Sequence, residues 1–156
     1  MTESLPDPRP LDARPAHWNY REHCWDPRWV WEERVAMSEL GIGPENVSQD
    51  AEGRVRTIDI EYRTISDRKL AHLAAFPRLT GLSLNQCAFT DGAVEYLVAV
   101  PRLSTLWIVG TKITPRGVRR IEKAHPEAMV FTRPGEAAVP GPDGKRVKIS
   151  RRWFWS

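Results

Sequence analysis

A 24-residue repeat runs through the middle of the chain, from Arg54 to Phe131. It becomes visible when three segments are aligned: RVRTIDIEYRTISDRKLAHLAAFP, RLTGLSLNQCAFTDGAVEYLVAVP and RLSTLWIVGTKITPRGVRRIEKAHP. Nearly every apolar residue then falls in a shared column. A fixed period of roughly 20 to 50 residues is typical of stacked repeats, each of which buries its apolar side against its neighbours. The repeat therefore constrains the architecture strongly and the binding partner weakly.

Within each repeat, the apolar spacing changes from that of a strand to that of a helix. Ile58 and Ile60 lie two residues apart, as side chains on one face of a strand do. Leu70 and Leu73 have a helical spacing, and both pairs recur in the later repeats. Polar N-cap residues precede the predicted helices and prolines follow them, at Ser66, Thr90, Thr114, Pro77, Pro101 and Pro126.

The second repeat shows the pattern most completely. Its residues Leu79, Leu82, Leu84, Cys87 and Phe89 follow the spacing L-x-x-L-x-L-x-x-C-x-L, with Phe in the last place. This spacing resembles the leucine-rich repeat family, and the T-D-x-x-L-x-x-L rhythm is similar to its simple bacterial members. The resemblance covers about half the chain and implies an α/β fold that is used for binding. It also implies that the residue in the Cys87 column bonds the turn backbone.

The other two repeats depart from the family pattern at the Cys87 column. They have Arg63 and Thr111 there. The predicted series of side-chain to backbone bonds is therefore broken in the first repeat and partial in the third.

The predicted fold is a short α/β solenoid of three to four strand-helix repeats with capped ends. Stacked repeats leave both end units open, so each end needs a cap. We predict three regions: an extended arm and Trp-rich capping helix over residues 1–53, the solenoid over 54–132, and a basic aromatic cap or tail over 133–156. Acidic residues outnumber basic ones by eleven to five in the first region, whereas basic residues lead by six to two in the last.

The N-terminal cap is predicted to be a helix from Pro27 to Leu40, with Asp26 as N-cap and Gly41 as its end. One face is expected to cover the first repeat with Trp31, Val35 and Leu40. The solvent face is expected to carry Glu32, Glu33 and Arg34. Four tryptophans between Trp18 and Trp31 belong either to this cap or to an interaction surface. A zinc site at His17, His23 and Cys24 is the weaker alternative, because the spacing matches no standard zinc motif.

At the C-terminus, Pro142-Asp143-Gly144 predicts a turn, and the alternation of Val147 and Ile149 predicts a strand after it. The last residues combine charge and aromatic rings: Arg151, Arg152, Trp153, Phe154 and Trp155. Three interpretations stay open, namely a capping strand, a docking tail for a protein, and a site for RNA or another anion. The anion site would use Lys145, Arg146, Lys148, Arg151 and Arg152.

The family pattern places binding on the concave face, which is formed by strand residues that alternate with the buried ones. We expect a partner to contact that face at Asp59, Glu61, Ser83, Asn85 and Trp107, and the tail at Arg151, Arg152, Trp153 and Trp155. Trp107 is either an anchor for the partner or is covered by the chain's own C-terminal segment.

Catalysis finds little support in the sequence. The chain has no Gly-rich phosphate loop, no H-E-x-x-H helix and no Cys-x-x-Cys pair. His72 and His125 are expected on the convex surface, and Cys87 in the interior. No signal-peptide run or membrane-spanning stretch is present, which favours a cytoplasmic protein. We expect a non-enzymatic protein-binding module or scaffold subunit of a complex, with no cofactor, metal or small-molecule substrate; nucleic acid is the alternative partner.

Overall fold

The computed structural model describes the backbone of residues 17–19 and 24–150, and the side chains of residues 27–149. A short antiparallel pair, β1 and β2, precedes helix α1 and a mixed sheet. The strands are β1 (His17–Asn19), β2 (Cys24–Asp26), β3 (Val47–Gln49), β4 (Val55–Asp59), β5 (Gly81–Ser83), β6 (Thr105–Trp107), β7 (Met129–Arg133), β8 (Glu136–Pro140) and β9 (Arg146–Ser150). The helices are α1 (Arg28–Leu40), α2 (Val94–Val98) and α3 (Pro115–Ala124), with 3-10 turns at Pro44–Asn46, Asp67–Ala75 and Asp91–Ala93.

The larger sheet has seven strands in the order of the chain, from β3 to β9. Strands β4 to β7 are parallel, whereas β3 and the β8–β9 hairpin pair antiparallel at the two ends. Thr57, Gly81, Thr105 and Met129 face one another along the parallel strands, so the register advances by the sequence period at each step. The predicted α/β class is thereby confirmed.

The core lies between one face of this sheet and the helices. The alternate strand residues Ile58, Leu82, Leu106 and Val130 are at most 2% exposed, and they belong to the same buried cluster as Leu70, Leu97 and Ile121 of the helical segments. The apolar columns of the sequence are thus the residues that meet between sheet and helices. Burial of several complete Leu and Ile side chains, each worth about 1.5–3 kcal/mol, is the main stabilising term.

The three helical segments differ although their sequences align. The first is a 3-10 helix, the second begins as a 3-10 turn before α2, and the third is the regular helix α3, with Pro115 in its first turn as predicted. The predicted N-caps Thr90 and Thr114 accept hydrogen bonds from the backbone N–H groups of Gly92 and Gly117. Ser66 occupies the N-cap position as predicted, but its side chain makes no capping bond.

Aspartates join the helical segments of successive repeats. The carboxylate of Asp67 accepts hydrogen bonds from the backbone N–H and the hydroxyl of Thr90. One repeat later, Asp91 accepts the same two bonds from Thr114, at 2.7 and 2.6 Å. Hydrogen bonds from Thr114 lower the pKa of Asp91. Each carboxylate therefore orders the start of the next helical segment.

Helix α1 begins and ends close to the predicted residues, but its buried face is different. Pro27, not Asp26, occupies the N-cap position, and Gly41 ends the helix in a left-handed conformation. Trp31 and Val35 are 40% and 38% exposed, whereas Glu33 is 3% exposed. Leu40 is buried and Glu32 and Arg34 are exposed, as predicted, but the predictions for Trp31, Val35 and Glu33 are wrong. Glu33 has partners inside: its carboxylate accepts bonds from Arg54 Nε at 2.9 Å and from the Val55 backbone N–H at 3.3 Å. Paired in this way, a carboxylate can be buried.

The predicted C-terminal hairpin is confirmed. Strands β8 and β9 pair antiparallel through five residue pairs, and β8 also pairs with β7, so the hairpin covers the edge of the last parallel strand. The turn bond runs from the Gly141 N–H to the Lys145 carbonyl. Within the described residues, no helix is long and apolar enough to cross a bilayer.

Candidate functional site

The candidate site lies on the face of the sheet that points away from the helices, which we call the open face. Asp59, Ser83, Trp107 and Phe131 occupy equivalent positions on four neighbouring strands, each facing the next. The row continues through Ala137 and Ile149 of the hairpin. Along this row the open face is therefore polar on β4 and β5 and apolar from β6 to β9.

Trp107 stacks on Phe131. Their ring centroids are 5.1 Å apart and the ring planes differ by 12°. Both side chains are half-buried, so part of the stacked pair is accessible on the open face. Phe131 was missed as a site residue, although its position 24 residues after Trp107 was a usable signal.

Next to the aromatic pair, Glu61 is held by two side chains from the following repeat. Its Oε1 atom accepts hydrogen bonds from Ser83 Oγ at 2.8 Å and from Asn85 Nδ2 at 2.6 Å. Asn85 in turn accepts a bond from the Val109 backbone N–H at 3.0 Å. The structure thus brings together three of the predicted site residues, and the carboxylate is fixed in position with an oxygen that none of these bonds uses.

Asp59 stands beside Glu61 on the exposed part of β4. Partial desolvation against the sheet, and then the negative charge of Glu61, raise the pKa of Asp59. The two carboxylates therefore form a region of negative charge at the polar end of the open face. A positive group from another molecule would relieve the repulsion between them.

A groove of about 600 Å³ follows the ends of the parallel strands and reaches the β7–β8 turn. Its lining combines aromatic rings with charged and amide groups: Glu61, Tyr62, Asn85, Gln86, Trp107, Val109, Phe131, Arg133, Pro134 and Gly135. Tyr62 projects at the rim with 78% of its surface exposed. A largely apolar cleft with a few fixed polar groups is the usual form of a binding site.

The turns beside this groove repeat a left-handed backbone. Tyr62, Gln86 and Gly110, spaced by one repeat, have φ angles of 56°, 56° and 74°. Glycine adopts this left-handed conformation without strain, and the side-chain amide of Gln86 lies close to the open side of Gly110. Tyr62 adopts this conformation at a cost of about 1–2 kcal/mol. The spacing of these three residues was visible in the sequence, but their conformation was not.

Two of the three residues in the column of Cys87 donate to carbonyls of the neighbouring backbone. The Cys87 thiol, 1% exposed, donates to the Ile60 carbonyl, and Thr111 Oγ1 donates to the Ile108 carbonyl at 2.9 Å. Burial raises the pKa of the Cys87 thiol, so it stays protonated. Arg63 turns outward instead and donates to the Gly41 carbonyl.

His125 was expected on the surface, and that prediction is wrong. Its side chain is 8% exposed and its Nε2 atom lies 2.8 Å from the Leu97 carbonyl oxygen. The same carbonyl accepts the Val100 backbone N–H at 3.4 Å, so the ring is a second partner for a carbonyl at the end of α2. His72 is half-buried and lies 3.8 Å from Glu39.

Several predicted residues lie outside the described part of the chain. The tail residues Arg151, Arg152, Trp153 and Trp155 belong there, as does His23, and the side chains of His17 and Cys24 are also outside it. Among the side chains that the structure does describe, no group of three or more His, Cys, Asp or Glu is arranged to hold a metal ion.

Arg146 is not available as an anion-binding residue, contrary to the sequence prediction. Its two terminal nitrogens donate to the Ala128 carbonyl at 2.7 and 2.8 Å, and its Nε lies 3.5 Å from Glu122. This guanidinium instead ties the hairpin to the end of helix α3. Lys145 and Lys148 remain exposed.

No protein-family model matches this chain, and neither the curated proteins nor the solved structures contain a match to it.

Proposed function

We propose that this chain is a short leucine-rich-repeat solenoid that acts as a non-catalytic protein-binding module or accessory subunit, and that the open face receives the partner. The single observation that carries the proposal is the half-buried stack of Trp107 on Phe131, which lines the groove. Aromatic side chains in this setting are the residues that most often dominate protein interfaces.

The chemistry of the open face defines the partner further. The apolar side from β6 to β9 suits an aromatic or aliphatic anchor, and the carboxylates of Asp59 and Glu61 suit a basic side chain a short distance away. Because Ser83 and Asn85 already hold Glu61, little conformational freedom is lost when a cation binds. We therefore expect an extended partner segment that places an apolar residue over Trp107 and a Lys or Arg toward Asp59.

A random peptide library selected on the full chain tests this proposal. Enriched peptides should combine an aromatic or large aliphatic residue with a Lys or Arg. Trp107→Ala should weaken their binding by about 30-fold or more, the effect of losing a hot-spot side chain. The matched control is Trp31→Ala, because Trp31 is an exposed tryptophan on helix α1, away from the open face.

The proposal fails if the selected peptides bind Trp107→Ala as tightly as the parent chain, or if Trp31→Ala weakens binding equally. A pull-down from the native host with the same three proteins then identifies the natural partner. That partner should be recovered with the parent chain and Trp31→Ala but not with Trp107→Ala.

A further inference from the structure

Helix α3 presents a strongly basic surface on the side of the molecule opposite to the open face. Ile121 of α3 packs into the core with Leu106, whereas the neighbouring Trp107 belongs to the open face, so the sheet separates the two surfaces. We call this surface the basic face; it consists of Lys112, Arg116, Arg119, Arg120 and Lys123, all of which are exposed.

The positive charge of the basic face is not neutralised within the described part of the chain, where none of its five side chains lies at ion-pair distance from a carboxylate. The one acidic residue of α3, Glu122, lies 3.5 Å from Arg146 instead. Asp91 is nearby and its charge interacts with Arg116 and Arg120, but its two oxygens accept bonds from Thr114 and it forms no ion pair with them. Three of the five cations are arginines, whose guanidinium groups match phosphate oxygens in geometry.

The geometry of α3 suits a linear polyanion. Arg116, Arg120 and Lys123 follow the i, i+4, i+7 spacing and thus lie on one side of the helix, along about 10 Å of its axis. Gly117 and Ile121 are buried and Val118 is partly buried, so α3 offers no apolar face for insertion into a lipid surface. The exposed residues of the basic face include no aromatic ring, which disfavours stacking on unpaired bases.

From these observations we propose that the basic face binds the phosphate backbone of duplex DNA without sequence specificity. An exposed α-helix fits the major groove of B-form DNA, about 12 Å wide, whereas the major groove of duplex RNA is too narrow to admit side chains. The proposal is independent of the open face, and a protein partner and DNA could occupy the molecule together.

The test is fluorescence anisotropy of a labelled duplex DNA with the full chain over a series of salt concentrations. Five phosphate contacts predict that the association constant falls with a log–log slope of about −4.5, and neutralising three of them lowers that slope by about 2.7. The variant is therefore Arg116→Gln/Arg119→Gln/Arg120→Gln. Its control, Arg28→Gln/Arg102→Gln/Arg133→Gln, removes the same charge from exposed positions on α1, before β6 and at the end of β7, and should leave the slope nearly unchanged.

Equal losses in the two triple variants would overturn the proposal, because net charge alone would then explain binding. A chain that ends at Ser150 tests whether the tail binds the DNA. The proposal is also overturned if this truncated chain loses DNA binding while the α3 variant keeps it. The same holds if duplex RNA or anionic phospholipid vesicles bind more tightly than duplex DNA, or if the full chain binds no DNA at low salt. Circular dichroism of each variant checks that it is folded.

Discussion

Replacing Glu33 by Ala gives the sharpest test of how the N-terminal helix is attached. The substitution removes a carboxylate that is 3% exposed and that accepts two hydrogen bonds. Val55 is 0% exposed. Loss of the acceptor for its backbone N–H therefore costs about 1–3 kcal/mol of folding free energy. Arg54 loses its carboxylate partner, although it keeps its position over the Trp29 ring, 4.4 Å from the centroid.

Breaking a buried ion pair on one side costs about 3–5 kcal/mol when the remaining charge is fully enclosed. The Arg54 side chain is 16% exposed, so water compensates part of that loss. We expect Glu33→Ala to lower the free energy of unfolding by about 3 kcal/mol, and Glu33→Gln, which keeps an acceptor oxygen, by about 1–2 kcal/mol. For a chain of this size the larger change corresponds to a Tm lowered by roughly 6–12 °C.

Urea denaturation followed by circular dichroism measures both values. The matched control is Glu32→Ala, because Glu32 precedes Glu33 in the same helix but is exposed and forms only a surface ion pair with Arg28. That change should alter the free energy of unfolding by no more than about 0.5 kcal/mol. If Glu33→Ala and Glu32→Ala lower the free energy of unfolding equally, Glu33 is not part of a buried ion pair. The orientation predicted from the apolar residues of α1 would then be favoured.

Two further predictions concern single residues of the repeat region. Tyr62→Gly should raise the free energy of unfolding, measured by urea denaturation, by about 0.5–1 kcal/mol because glycine adopts the left-handed turn without strain. Tyr62→Ala keeps the strained backbone and is the control. An equal gain in stability for Tyr62→Ala would contradict the prediction. Asp91→Asn should destabilise the chain at neutral pH. The pKa of Asp91 is lowered in the folded state by its bonds to Thr114, so its contribution is present above the unfolded pKa of about 3.9 and is lost as pH falls through the lower folded value. The stability difference between Asp91→Asn and the parent chain should therefore shrink in urea titrations below about pH 4, and a difference independent of pH would show that the carboxylate charge is not involved.

The fold could be predicted in some detail because the repeat carries the same information three times. Arg63 and Thr111 depart from the pattern in the column of Cys87, but the other columns still show the repeat. The hairpin was predictable for a different reason, since Pro-Asp-Gly marks a turn by its backbone preferences alone.

The candidate site was only partly predictable. Alternation along the strands placed Asp59, Ser83 and Trp107 on one face, as the structure shows. The 24-residue spacing placed Phe131 in the column of Trp107, but the stacking of the two rings depends on side-chain conformations that the spacing does not determine. The bonds that hold Glu61 join side chains of different repeats, and no pattern within a single repeat encodes them.

What the sequence determined by itself is the period, and with it the register of the parallel strands and the residues that meet in the core. Apolar residues repeated at a fixed spacing can be buried together only if neighbouring units stack in register. What only the tertiary structure decided is the polar pairing: the burial of Glu33 against Arg54, the aspartate bonds to Thr90 and Thr114, and the grouping of carboxylates and aromatic rings on the open face. Such contacts are set by short-range geometry between distant segments. A hydrogen bond requires a donor–acceptor distance that is correct to within a few tenths of an ångström. Such distances are determined only by the folded structure.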